Sequence, residues 1–144
     1  MISTDFTNLT QYLAKGQINF STGTFKCLLV SAAPIEANMD AWLVRQDVLT
    51  AAIEVAGTGY TAGGNAVTAT VGATDATNNR TAITFGNPAA WTASTITAVG
   101  AIIYQVIGTA ATDLLVAYLD FGGTITSTAD SFTLTLSTPL YITR

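Results

Sequence analysis

The chain reads as a mainly β protein, an antiparallel β-sandwich or jelly-roll-like barrel with a short N-terminal helix. Three observations predict this. Short runs alternate apolar and hydroxyl side chains, the period-2 signature of a strand with one wet face. Clusters of glycine, asparagine and proline separate those runs at short intervals. Threonine, alanine and glycine dominate, while charged residues make up only 10% of the 144 positions. Threonine gives the pattern its physics: its branched Cβ suits the pleated strand, and its hydroxyl wets a surface without charge. The length fits one domain with a sizeable core, so residues 1–144 are read as a single β domain and 1–17 as a helical arm.

The arm carries the best helical signal. Phe6, Leu9 and Leu13 recur at spacings of three and four, with Tyr12 beside them. Ser3 or Thr4 is placed to cap the start, Asp5 suits the positive helix N-terminus, and Lys15-Gly16 supplies a stop. Thr24 to Ser31 is the first strand. Phe25, Cys27 and Leu29 point one way, Lys26, Leu28 and Val30 the other, which predicts a central strand apolar on both faces. Pro34 breaks the next stretch, and Met39 to Val48 predicts one or two helical turns with Asn38 as cap. Val48 to Val55 predicts extended chain, although its alanines leave helix open.

Gly57-Thr58-Gly59-Tyr60-Thr61-Ala62-Gly63-Gly64 is a loop by glycine content. Asn65 to Val71 then alternates, with Val67, Ala69 and Val71 inward. Ala73 to Asn79 predicts a polar turn, and Arg80 to Phe85 a strand with Ile83 and Phe85 inward. After the Gly86-Asn87-Pro88 break, Ile96 to Ile107 predicts a long strand with neither face fully wet. Leu114 to Phe121 is its antiparallel partner, and Gly122-Gly123 marks a bend or bulge. Ser131 to Leu136 is the last strand, with Phe132, Leu134 and Leu136 inward.

Composition removes several classes of function. There is no histidine, and Cys27 is the single cysteine, so zinc lacks ligands and a disulfide scaffold is excluded. Cys27 is expected as a buried free thiol. The five basic residues Lys15, Lys26, Arg45, Arg80 and Arg144 do not cluster and the net charge is −4, which argues against nucleic-acid binding. Met1 to Gly16 predicts no secretory leader. The most apolar stretch, Ala98 to Ile107, is far short of the about 20 residues a membrane-spanning helix needs. Mean hydropathy is nonetheless +0.45. Two readings of that value stay open, a self-associating or partner-covered surface and an apolar count inflated by alanine.

Gly57 to Ala62 formally matches the dinucleotide fingerprint, but an alternating strand follows in place of the helix that would hold a pyrophosphate. The abundant hydroxyls have no histidine base, and Lys15 and Lys26 stand in ordinary helix and strand contexts. Glu54, Asp75 and Asp120 are candidates for paired-carboxylate chemistry, though their spacing is not distinctive. The calcium-loop pattern does not occur. Trp42, Tyr60, Trp91 and Tyr104 offer either a carbohydrate platform or core packing; Tyr104 reads as core, and Trp91 stays open. No catalytic, cofactor-binding or metal-binding residue is therefore assigned.

Several segments carry a resemblance. They are Ile18-Asn19-Phe20-Ser21-Thr22-Gly23-Thr24-Phe25-Lys26, Gly57 to Gly64, Asn78-Asn79-Arg80, Trp91 to Ala98, Gly108-Thr109-Ala110-Ala111-Thr112 and Leu119-Asp120-Phe121-Gly122. Taken in order across nearly the whole chain, they resemble a family of small structural proteins of tailed-bacteriophage virions. The resemblance implies a non-enzymatic virion component, most specifically a capsid decoration (cement) protein. It further implies a homo-oligomer, a trimer by preference, made in the bacterial host cytoplasm and bound to the major capsid protein on the capsid exterior. No nucleic-acid or membrane partner is implied. A tail or head–tail connector component, or a module binding host-surface carbohydrate, is the alternative. The Ala51-Ala52 segment and the low charge depart from the family's look, which leaves the solvent-facing surface open.

Overall fold

A computed structural model describes residues 1–143. All strand pairings are antiparallel and form two sheets. The larger is built from β1 (Ile2–Asp5), β2 (Phe25–Val30), β3 (Asn65–Val67), β6 (Trp91–Gln105) and β7 (Leu114–Phe132), in the order β1-β7-β6-β2-β3. The smaller holds β4 (Ala69–Asp75), β5 (Arg80–Phe85) and β8 (Leu140–Thr143), in the order β4-β5-β8. Among the described residues there are also three helices of six residues each: α1 (Leu9–Ala14), α2 (Glu36–Ala41) and α3 (Arg45–Thr50). Of the two expected architectures this is the sandwich, since neither sheet closes on itself.

The core is double. Between the sheets, Phe25, Cys27 and Leu29 of β2 and Ile103 of β6 pack with Ile83 and Phe85 of β5 and Leu140 of β8. On the other face of the large sheet, Leu28, Val30, Ile102, Tyr104, Leu115 and Tyr118 meet Met39 of α2 and Val48 of α3. The central position read for β2 follows directly: it lies between β6 and β3, and both of its faces are buried.

Local departures from the sequence reading have identifiable causes. Within residues 1–17 the helix is confined to Leu9–Ala14, and Ile2–Asp5 pair with Asp120–Ala117 of β7. Ser3 and Thr4 therefore lie in a ladder and do not cap a helix. Serine, threonine and aspartate favour helix weakly, so an available strand partner decides their conformation. Phe6, Leu9 and Tyr12 are buried as the spacing predicts. Asn38 is not the cap of α2 but its third helical residue, and its Oδ1 accepts the Ile35 N–H at 3.1 Å. Asp47 repeats the device for α3, accepting the N–H groups of Leu43 and Val44 at 2.8 and 3.0 Å.

Residues 65–71, read as one strand, divide between β3 and β4 in different sheets. The chain crosses at Thr68, and Val71, expected inside, is 45% exposed on the outermost strand of the small sheet. β4 also extends into the predicted 73–79 turn. Gly122-Gly123 does lie in a bulge: Gly100 pairs with Asp120 and Ala98 with Ile125, so Phe121–Thr124 stand opposite Val99 alone. The final run keeps its alternation, with Phe132 and Leu134 buried, but β7 ends at Phe132 and the last strand is Leu140–Thr143.

Candidate functional site

The densest polar constellation surrounds the glycine loop. After α3 the chain turns back, and an isolated bridge between Glu54 and Val30 sets Glu54 against β2. Its Oε1 accepts the Tyr60 hydroxyl at 2.9 Å and the Gly63 N–H at 2.5 Å. The Leu29 N–H donates to the Tyr60 oxygen at 3.1 Å. Tyr104 donates to the Gly63 carbonyl at 2.7 Å, and its ring lies 5.2 Å from the Arg45 guanidinium carbon. Arg45 Nε reaches Asp113 Oδ2 at 3.0 Å. Asp113 Oδ1 accepts the N–H groups of Ile107 and Gly108 at 2.9 and 3.1 Å. One continuous set of contacts thus joins the glycine loop, β2, β6, the start of α3 and the β6–β7 turn.

The electrostatics of these groups favour holding over reacting. Burial, reinforced by the Glu54 charge, raises the Tyr60 phenol well above its ordinary value. Burial likewise pushes Tyr104 up to about 12, against the opposing pull of Arg45. The Cys27 thiol, also buried, is pushed up to about 12, so it carries no thiolate at neutral pH. Burial opposes ionisation of Asp113, but the two backbone N–H bonds and Arg45 outweigh it and hold the carboxyl below its usual range.

The glycine loop itself is a packing device. Gly64 has φ +70°, and a Cβ built on it would stand 1.9 Å from the Cys27 carbonyl oxygen. Strand β3 follows at Asn65, with no helix to receive a phosphate, in agreement with the sequence reading.

The other sequence candidates lie apart. Asp75 closes the β4–β5 turn through Asn78 and Arg80, and Asp120 accepts the Gly122 N–H at 2.8 Å within the bulge. No hydrogen bond among the described residues links either to Glu54. Among the described residues no group of three or more acidic or cysteine side chains could hold a metal ion. Trp91 is 2% exposed, stacked on Tyr60 at 5.9 Å and edge-on to Phe132 at 6.0 Å. Tyr104 is core, as expected, while Trp42 and Tyr60 are partly buried. Two of the four aromatics proposed for a sugar platform therefore face inward.

Sequence reasoning passed over the Arg45–Asp113 pair. An isolated arginine and an aspartate 68 positions away carry no local pattern. The available signal was Asp113 itself, a carboxylate ending a Gly108–Thr112 turn in a chain poor in charge.

On the outer face of the large sheet, beyond the area covered by α2 and α3, Thr95, Thr97 and Thr126 are exposed. Thr97 and Thr126 bond across the strands at 3.2 Å. With Ser31, Glu54 and Ala56 they line an open groove of about 460 Å³. Chemically it offers the hydroxyl donors and acceptors of β6 and β7 beside the Glu54 carboxylate. No protein-family model, curated protein or solved structure matches the chain.

Proposed function

We propose that this protein is a non-enzymatic structural component of a tailed-phage virion, most specifically a decoration protein bound to the outer capsid lattice. The observation that carries the contact role is the neutral, hydroxyl-bearing outer face of β6 and β7. Charged groups are depleted from the centres of protein interfaces because they are costly to desolvate. Threonine hydroxyls on a fixed strand exchange their water for partner hydrogen bonds at far lower cost. The carboxylate with the most elaborate surroundings, Glu54, is engaged by Tyr60 and Gly63 in fixing a loop. The resemblance supports the particle, and the hydroxyl face supports a contact role.

Quantitative mass spectrometry of purified virions tests the reading. A copy number that scales with the capsid lattice is expected, together with lower heat resistance of particles lacking the protein. A copy number matching a single ring at the portal or tail would refute the cement role in favour of the connector reading.

A further inference from the structure

We propose that the groove beside Glu54 receives an arginine side chain of the protein on which this face docks, the guanidinium pairing with the Glu54 carboxylate. The groove exists because β6 outruns its neighbour. On that side β2 covers β6 only from Gly100 to Gln105, and the chain returns to β6 at the bridge between Thr58 and Thr95. Between Thr95 and Gly100 this edge of β6 has no strand partner among the described residues. At the rise of an extended strand the gap is about 17 Å long, with Thr58 at one end and Val30 at the other. A partner's strand cannot run on through a gap closed at both ends, whereas a single side chain can enter it.

The lining is graded as a long cationic side chain requires. Val55, Ala56 and Ile96 give apolar wall, Ser31, Thr97 and Thr126 give hydroxyls, and Glu54 is the one charged residue of the lining. Arginine matches this sequence of surfaces, since its methylene stem packs on apolar groups while its planar head donates in five fixed directions. Both bonds that Glu54 accepts within the chain fall on Oε1, so Oε2 has no partner among the described residues. Ser31 spends its proton on the Ile53 carbonyl at 3.1 Å, which leaves its oxygen to accept. An ammonium, more strongly hydrated and acting as a point charge, would surrender more water for fewer such bonds.

Charge identifies the kind of partner. Covering a carboxylate without a counter-charge leaves an uncompensated buried ion, a heavy penalty that a cation on the opposing surface removes. No ion pair among the described residues engages Glu54. A second copy is a poor source of the cation: Arg45 is held by Asp113 at 3.0 Å and Arg80 by Asp75 at 3.3 Å, and chains of net charge −4 repel one another. The complementary arginine therefore belongs to a different protein, and in that respect the inference rests on the capsid-lattice reading.

Two probes of nearly equal shape test the groove without the particle. N-acetyl-arginine amide and N-acetyl-citrulline amide differ in the charge of the head group. In an NMR titration the arginine probe should shift the amides of Thr95, Thr97 and Thr126 saturably, and bind about tenfold or more tighter than the citrulline probe. Glu54→Gln removes the charge but keeps an oxygen to accept from Tyr60 and Gly63, so it should melt close to the wild type and lose the preference. If that variant fails to fold, Thr97→Lys at an exposed position sets a resident ammonium in the groove and should weaken the arginine probe about tenfold or more. No saturable shift in the groove, or equal affinity for the two probes, would overturn the proposal. On the particle, Glu54→Gln should bind capsids lacking the protein about tenfold or more weakly than the wild type does. Undiminished capsid binding by Glu54→Gln would sink the groove and leave the cement role standing. Charge-selective binding of the arginine probe by a protein absent from the capsid would keep the groove and sink the cement role.

Discussion

Replacing Gly64 by alanine separates two costs that are usually confounded, because Gly16 provides a matched control. Both residues have positive φ, +70° at Gly64 and +66° at Gly16, so alanine at either pays about 1–2 kcal/mol for the left-handed backbone. Their surroundings differ completely. A Cβ on Gly16 meets nothing within 4 Å, whereas on Gly64 it meets the Cys27 oxygen at 1.9 Å, the Cys27 carbonyl carbon at 2.5 Å and Leu28 Cα at 2.6 Å. All three obstacles are backbone of β2, which cannot swing aside as a flexible side chain would. Relief requires moving β3 off β2 and disturbing the Glu54 and Tyr104 bonds to Gly63. Gly64→Ala should therefore cost about 4 kcal/mol or more, in the exceptional class of single substitutions, against about 1–2 for Gly16→Ala. Urea denaturation at constant m reads the difference directly. With m near 1.5 kcal/mol/M, the Gly64 variant should lose about 1.5 M more of its midpoint than the Gly16 variant. Equal midpoints would refute the claim that backbone contact makes glycine obligatory at 64.

Further predictions concern the buried polar groups. Tyr104→Phe removes a buried bond to the Gly63 carbonyl and should cost about 1–2 kcal/mol, while Tyr118→Phe, whose hydroxyl has no hydrogen-bond partner among the described residues, should be neutral within about 0.5 kcal/mol; thermal denaturation of both decides, and a larger loss at Tyr118 would contradict the assignment. Asp113→Asn breaks the ion pair with Arg45 and should cost about 3 kcal/mol by urea titration at pH 7. Because the Asp113 carboxyl is held below its unfolded value, its contribution is complete above the unfolded pKa of about 4 and is lost as pH falls through the folded value. The stability gap between wild type and Asp113→Asn should accordingly narrow on acidification below about pH 5; a constant gap would show that the charge is not what matters. Trp91→Ala should cost about 3–5 kcal/mol, since the ring is sandwiched between Tyr60 and Phe132; a loss under 1 kcal/mol would mean the ring is not core.

Strand identity was largely legible because the period-2 pattern is a property of local sequence. β2 and β5 could be read residue by residue, and buried Ile83, Phe85, Phe132 and Leu134 match their pattern. Legibility failed where a distant partner decides the conformation. Ile2–Asp5 is a strand only because β7 offers an edge, and Val71 is exposed because the chain changes sheets at Thr68. The glycine loop could be recognised as structural from the strand that follows it. Its anchors could not: Glu54 meets Gly63 from nine positions away and Tyr104 from 41, separations that leave no local trace.

The bulge opposite Val99 explains why one sheet carries two kinds of outer surface. An unbroken alternation from Ile96 and Ala98 would carry Gly100, Ile102 and Tyr104 into the core between the sheets. The register shift reverses the parity, so Ala101 and Ile103 enter that core and Ile102 and Tyr104 emerge on the opposite face. Those side chains then need cover, and Met39 of α2 and Val48 of α3 provide it. Upstream of the bulge the same face carries Thr95 and Thr97, which need no cover and stay open to solvent. A single insertion between Asp120 and Ile125 thus divides the sheet into a roofed apolar half and a bare hydroxyl half. The outer edge of β7 also has no strand partner among the described residues just where β1 stops. The helical layer, the neutral contact face and the free strand edge are consequences of one change of register. Removing residues 122–124 to close the bulge should therefore disturb all three together, since a slip of strand register turns every side chain beyond it to the other face.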